Sequence, residues 1–173
     1  MQGITVRSES PDDYKAIDVV HLSAFEGEDE AGLVAKLRAD SAYSADLALV
    51  AEFNGRIVGH LVLTPATLRK ADGEIKVLVL APMAVVPSQS HRGIGTELLQ
   101  EAIRRARDGG YAAIIEAGKP DYYARHGFDQ ASKLQIRCDL PVPEDAVMAL
   151  EISEGALSGG GEVLYPAILK SVY

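Results

Sequence analysis

The chain has 173 residues, a net charge of −8 and a mean hydropathy near zero, enough for one well-cored domain with an acidic balance that argues against a nucleic-acid partner. No apolar run approaches the ~20 residues that span a bilayer, and the N-terminus, MQGITVRSESPDD, lacks the basic-then-apolar layout of a secretory signal. A single cysteine, Cys138, excludes an internal disulfide and a cysteine-based metal cluster, so the expected compartment is the cytoplasm.

Residues 3–8, GITVRS, read as an opening strand. Ser10-Pro11-Asp12-Asp13 then has the make-up of a helix start: a capping serine, proline at the first helical position and acids in the first turn. Tyr14, Ile17, His21 and Ala24 fall on one face of the helix that follows. An acidic break, FEGEDEAG, leads into a second helix with Leu33, Val34 and Leu37 inward. From Leu47 the period changes to that of strands. LALVAEF and RIVGHLVLT flank Asn54-Gly55, a pair suited to the positive φ angles of a tight hairpin. A second turn is predicted at Asp72-Gly73, before a third apolar strand, IKVLVLAPMAVV. Ile94, Leu98, Leu99, Ala102, Ile103 and Ala106 make the apolar stripe of a helix that Gly109-Gly110 stops. YAAIIEAG reads as a strand, PDYYARHG as a short helix, FDQASKLQIRC as a turn into strand, and VMALEI as a further strand. Residues 155–173, with GGG inside, are predicted to form a loosely structured closing segment. Hairpins beside one strand–helix–strand crossover predict a mixed sheet, in a single domain over residues 1–173.

Charge is unevenly spread: residues 1–55 hold 11 Asp/Glu against 4 Lys/Arg, and the remainder 14 against 13. The N-terminal third is therefore either a field that draws cationic ligands or a set of solvated helix faces.

The segment VVPSQSHRGIGTELL joins a strand, a turn and a helix N-terminus. The first N–H groups of a helix lack partners within it and lie at its positive end. Gly93 and Gly95 remove the Cβ atoms that would keep a pyrophosphate off the backbone. Arg92 can add charge, and Thr96 a hydroxyl donor. On spacing alone, the same glycines could serve only to start a helix. A P-loop is absent for want of G-x-x-x-x-G-K-[ST]. A dinucleotide fingerprint is absent too, because its third glycine would stand where Leu98 does.

The longer stretch LAPMAVVPSQSHRGIGTELL resembles the acetyl-coenzyme A motif of the GNAT superfamily of N-acetyltransferases: an apolar strand, a proline, then [QR]-x-x-G-x-[GA] opening a helix. YYARHGF, residues 122–128, resembles the family's F-Y-x-x-x-G-F element, and the order of elements matches as well. AFEGEDEAGLVAKLR and GKPDYYARHGF are similar to a bacterial subgroup with a GDPxYYxRFGF-like run. One position departs: the [QR] place falls on Ser90, with Gln89 one residue early. The resemblance implies the acyl-CoA N-acyltransferase fold, an α/β (α+β) architecture with a central mixed, mostly antiparallel sheet flanked by helices. It implies acetyl-CoA as cosubstrate, with Met83, Ala84 and Val85 along the pantetheine arm. Ser90, His91, Arg92, Gly93, Ile94, Gly95 and Thr96 would hold the pyrophosphate, mainly through backbone amides. Tyr123 matches the tyrosine that protonates the departing thiolate; a phenol of pKa ~10 keeps its proton at neutral pH.

The resemblance also implies an acceptor amine, on a small molecule or a protein, entering over the segment between the first two helices. Glu26, Glu28, Asp29 and Glu30 would then stand at the mouth and favour a cationic primary amine. No carboxylate lies on IKVLVLAPM, where some relatives keep a general base. Glu116, His60 and the acids 26–30 are alternatives, a water chain is another, and the base stays open. His91 is read as a solvent-facing loop residue, Tyr122 as a core aromatic and Cys138 as a small buried side chain. Four scattered histidines without an H-x-x-x-H pair give no expected metal site. A second reading keeps the fold as an acyl-CoA-binding sensor or interaction module without turnover, favoured by Ser90 and the missing strand carboxylate. Many relatives dimerise through sheet edges or late strands, so the resemblance also admits a homodimer.

Overall fold

The computed structural model describes residues 3–173; residues 1 and 2 of the expected domain lie outside them. It is a mixed α/β structure whose strands form a mostly antiparallel sheet flanked by helices. Its residues group into two compact units, one of the residues up to Leu63 with Ala81–Ala102, the other of Thr64–Leu80 with Ile103–Tyr173.

In the first unit, β1 (Ile4–Ser8) lies antiparallel to β2 (Ala48–Phe53), and β2 to the opening half of β3 (Arg56–Lys70). Asn54 and Gly55 take φ of 53° and 75°, the left-handed pair that a two-residue hairpin between twisted strands requires. Ser10 leaves β1 with its N–H donated to Asp13 Oδ2 at 2.8 Å, which starts a single 3-10 turn, Pro11–Asp13, and then α1 (Tyr14–Ala24). α1 turns Ile17, Val20 and His21 inward, and α2 (Asp29–Ala39) turns Leu33, Val34 and Leu37 inward. Asp29 and Glu30 occupy the first turn of α2, Lys36 and Arg38 its last, the order that its dipole favours.

β4 (Gly73–Val85) re-enters this unit at Ala81 and passes through a turn into α3 (Ile94–Asp108). Gly59 of β3 fixes how closely α3 approaches. A Cβ there would stand 2.9 Å from Ile94 Cγ2 and from Leu98 Cδ1, so only glycine lets the first two turns of α3 press onto the strand.

In the second unit, β3 and β4 form a hairpin turning at Ala71-Asp72, one residue earlier than expected, with Gly73 already in the strand. β5 (Ala113–Ala117) pairs parallel with β4 at Leu78↔Ile114 and Val79↔Ile115, the geometry a helical crossover permits. α4 (Pro120–Ala124) follows β5. β6 (Asp129–Gln130) and β5 both pair antiparallel with β8 (Val147–Glu151). β7 (Ile136–Cys138) pairs parallel with β9 (Gly161–Leu164), which also pairs antiparallel with β3 at Thr67↔Leu164.

The closing segment corrects the sequence reading. Residues 155–173 are not loose: they hold β9 and α5 (Ala167–Lys170), and Leu157, Val163, Tyr165 and Leu169 are buried. Its strand is four residues long between a glycine run and Pro166, too short to show a period. Its ladder partners lie far away in sequence, so no local turn signal announces the pairing.

Candidate active site

The first unit carries the glycine turn. Met83, Ala84 and Val85 end β4, with Ala84 buried and its neighbours partly exposed. Val86 follows the strand and donates its N–H to Val58 O at 2.8 Å. Pro87–Arg92 forms a 3-10 turn closed by Gly93 at φ 78°, ψ 18°. A side chain at that left-handed position is strained, which is why glycine stands there. The first backbone bond of α3 runs from the Glu97 N–H to Gly93 O at 3.1 Å. The N–H groups of Ile94, Gly95 and Thr96 therefore lie outside the helix's own ladder, at its positive end. A strand end, a left-handed glycine and a helix N-terminus form a cradle of donors that fits a pyrophosphate.

The side chains of the turn are mostly engaged elsewhere. Ser90 donates its hydroxyl to Pro87 O at 2.9 Å, so it offers no substitute for the [QR] side chain. The side-chain oxygen of Gln89 is buried without a hydrogen-bond partner. His91 is exposed, as expected of a loop histidine. Arg92 lies 4.8 Å over the Phe53 ring, its charge held against the β2–β3 hairpin. Glu26 and Glu28 are exposed in the joint between α1 and α2, and Asp29 and Glu30 begin α2, so these four acids share one joint.

Beneath those helices runs a polar network that the sequence did not announce. Glu9, just past β1, accepts from Arg38 Nε at 2.9 Å, from Tyr43 Oη and from His60 Nε2 at 2.7 Å. Burial opposes its ionisation, but these three donors outweigh burial and hold the carboxylate at about 2. A carboxylate only accepts, so His60 carries its proton on Nε2. Burial keeps His60 neutral, and its Nδ1 is then the acceptor for His21 Nε2 at 2.9 Å. The chain of donors ends at His21 Nδ1, a buried lone pair with no partner. Burial, then the nearby His60 and Arg38, lower the pKa of His21 to about 3. His60, one of the candidate bases, is thus committed to joining β3, α1 and α2. A lone histidine in the apolar run RIVGHLVLT was the available signal, since a buried ring needs partners; Glu9, Arg38 and Tyr43 carried none.

The second unit carries Tyr123 and Glu116. Tyr123, on α4, is 3 % exposed, with its ring edge-on to Phe128 at 5.2 Å and to Tyr122 at 5.1 Å. Tyr122 is the half-buried member of the pair, the reverse of the expected assignment, because α4 turns position 123 inward. Burial raises the Tyr123 phenol further above its ordinary range, and the Glu116 charge adds to this. Glu116, on β5, is 6 % exposed and has one carboxyl oxygen without a partner. Burial pushes it up to about 7, against a hydrogen bond from the Lys119 backbone N–H. Cys138 is half-buried, and burial pushes its thiol up.

The family model described as an acetyltransferase (GNAT) domain matches residues 5–131. The uncharacterized N-acetyltransferase YhbS of Escherichia coli K12 is 32 % identical over 154 residues, 89 % of this chain and 90 % of its own. The uncharacterized N-acetyltransferase YjhQ of the same organism is 34 % identical over 143 residues, 82 % and 77 % of the two chains. The crystal structure of E. coli YhbS in complex with CoA matches with a TM-score of 0.86 at 30 % identity, covering 96 % of this chain and 91 % of that one. A GNAT family acetyltransferase from Brucella melitensis in complex with acetyl-CoA matches with a TM-score of 0.75 at 26 % identity, covering 98 % and 99 %. With a family match over residues 5–131 and relatives of this identity across most of its length, the chain belongs to the GNAT family of acetyltransferases.

Proposed function

We propose that the chain, acting as one domain over residues 1–173, is an N-acetyltransferase that moves an acetyl group from acetyl-CoA to a primary amine, with both substrates bound together. The observation that carries this reading is the passage from β4 through the left-handed Gly93 into α3, with three amides outside the helical ladder. Relatives with this fold were solved with CoA and acetyl-CoA bound. The backbone amides of residues 90–96 would hold the pyrophosphate, and Met83, Ala84 and Val85 would run beside the pantetheine arm. Acetyl-CoA supplies the activated thioester. Tyr123 protonates the leaving sulfur in this reading: it holds the tyrosine position of the F-Y-x-x-x-G-F-like element, and its phenol is protonated at neutral pH.

Glu26, Glu28, Asp29 and Glu30 bias the approach toward a cationic acceptor, in an N-terminal third that is already acidic. The reaction is cytoplasmic in this reading; among the described residues no helix is long and apolar enough to cross a membrane.

A second reading, acyl-CoA binding without turnover, is favoured by Ser90, whose hydroxyl is spent inside the turn. Turnover with a panel of amines separates the two. The expected result is thiol release with 1,5-diaminopentane or a lysine peptide, reduced about 100-fold in kcat by Tyr123→Phe with acetyl-CoA affinity unchanged. Tight acetyl-CoA binding with no release for any amine would establish the sensor reading instead.

A further inference from the structure

Two buried polar atoms in the second unit have no partner among the described residues: Glu116 Oε1, an acceptor, and Tyr165 Oη, a hydroxyl able to accept as well as donate. Buried polar atoms without partners are uncommon and ask for an explanation. Glu116 stands near the end of β5, one oxygen held by the Lys119 backbone N–H. Tyr165 follows β9 and is 4 % exposed. Its own N–H donates to Asp139 Oδ1 at 2.9 Å, and Asp139 in turn pairs with Lys170 at 2.7 Å, which fixes the ring. Tyr173 stacks edge-on against Tyr165 at 6.0 Å and donates a long 3.5 Å hydrogen bond to Ala117 O, the residue after Glu116.

These groups sense one another. After burial, the Glu116 charge is among the influences that raise the phenols of Tyr123, Tyr165 and Tyr173, the last to about 12. Tyr165 and Tyr173 lie beyond residues 5–131, the stretch that matches the family model.

We propose that Glu116, whose unpartnered buried oxygen lies in the same cluster as Tyr165 and Tyr173, is the site that receives the acceptor's ammonium group and takes its proton. The assignment rests on the acetyltransferase reading above and names the acceptor class more narrowly: an unhindered primary ammonium. Such a group has three N–H donors; in this assignment the carboxylate oxygen and the phenol oxygen each accept one, and nearby aromatic rings favour a cation. A tertiary amine could not satisfy both. Glu116 takes the first proton and frees the nitrogen lone pair. The N–C bond then forms as the thioester C–S bond breaks, while Tyr123 gives its proton to sulfur. The second proton on nitrogen restores the Tyr123 phenol, and Glu116 returns its own to solvent. The net products are one amide, one thiol and one proton.

The test follows thiol release from acetyl-CoA with 1,5-diaminopentane for the wild type, Glu116→Gln, Tyr165→Phe and Tyr173→Ala across pH 5.5 to 9. Calorimetric titration of each with acetyl-CoA checks that the fold is kept. The groups facing Glu116 are Lys119, Tyr123, Tyr165 and Tyr173, with Cys138 and Asp139 beside the last two. Wild-type kcat/KM is expected to rise through a pKa near 7. Glu116→Gln should lose that limb and about 100-fold or more in kcat/KM at normal acetyl-CoA affinity. Tyr165→Phe and Tyr173→Ala should raise the amine KM about tenfold and move kcat much less. Glu116→Gln retaining wild-type turnover and the same pH profile would overturn the assignment while leaving the acetyltransferase reading intact, and would mean that water alone fills the site. A wild type that neither binds acetyl-CoA nor releases thiol would overturn both.

Discussion

Glu116 and Glu9 are both buried glutamates, and their surroundings drive them in opposite directions. Three hydrogen-bond donors hold Glu9 at about 2 despite burial, whereas burial with a single backbone N–H raises Glu116 to about 7. The signs for stability follow. A lowered carboxylate such as Glu9 contributes stability above its ordinary pKa of 4.5 that is lost as pH falls toward 2. The lowered His21 likewise contributes stability above 6.5 that is lost on the way to about 3. Glu116 acts the other way: its contribution is full below 4.5 and is lost as pH rises through 7, by about 3 kcal/mol. Urea unfolding should therefore find Glu116→Gln more stable than the wild type at pH 8, by up to about 3 kcal/mol, with the gain shrinking steadily toward pH 4.5. A difference independent of pH would mean that Glu116 is not the buried, weakly partnered acid described here. Neither glutamate was distinguishable in sequence as pinned or strained, because the partners of Glu9 come from α2, β3 and the connection between α2 and β2, and the isolation of Glu116 comes from packing.

The elements carried more of themselves in the sequence. On α1, Ile17 and His21 turn inward as read, but Val20 joins them in place of the half-buried Tyr14 and Ala24. The capped start at Ser10, the inward face of α2, the Asn54-Gly55 hairpin and the stripe of α3 all follow from local period and turn chemistry, and they form where expected. β9 did not, since a four-residue strand is defined by the ladders it joins and not by its own composition. Gly59 is a similar case: inside a strand it reads as a weakness, yet it marks where α3 presses on β3. Gly59→Val should push Ile94 and Leu98 outward, cost about 1–3 kcal/mol of stability and weaken acetyl-CoA binding by displacing the N-terminal turns of α3. Equal stability and affinity in that variant would show that the close approach does not position the turn. The glycine turn itself was legible as a place where Cβ atoms are absent before a helix, while the left-handed conformation of Gly93 emerged only in the structure. What could not be read there was the fate of the side chains, with Ser90 folded back onto Pro87 and Arg92 laid over Phe53.

At the scale of the whole chain, the net charge of −8 concentrates in the N-terminal third and includes the four acids at the joint between α1 and α2. In the proposed reading this charge draws a cationic acceptor, and Tyr165 and Tyr173 help to receive it. All of this depends on the backbone cradle at Gly93 holding acetyl-CoA. The direct measurement is calorimetric titration with acetyl-CoA of the wild type beside Gly93→Asp, a change that strains a left-handed position and sets a carboxylate where a pyrophosphate would lie. Micromolar binding to the wild type with at least a hundredfold loss in the variant is the result expected. Equal binding by the two proteins, or none by either, would contradict the account.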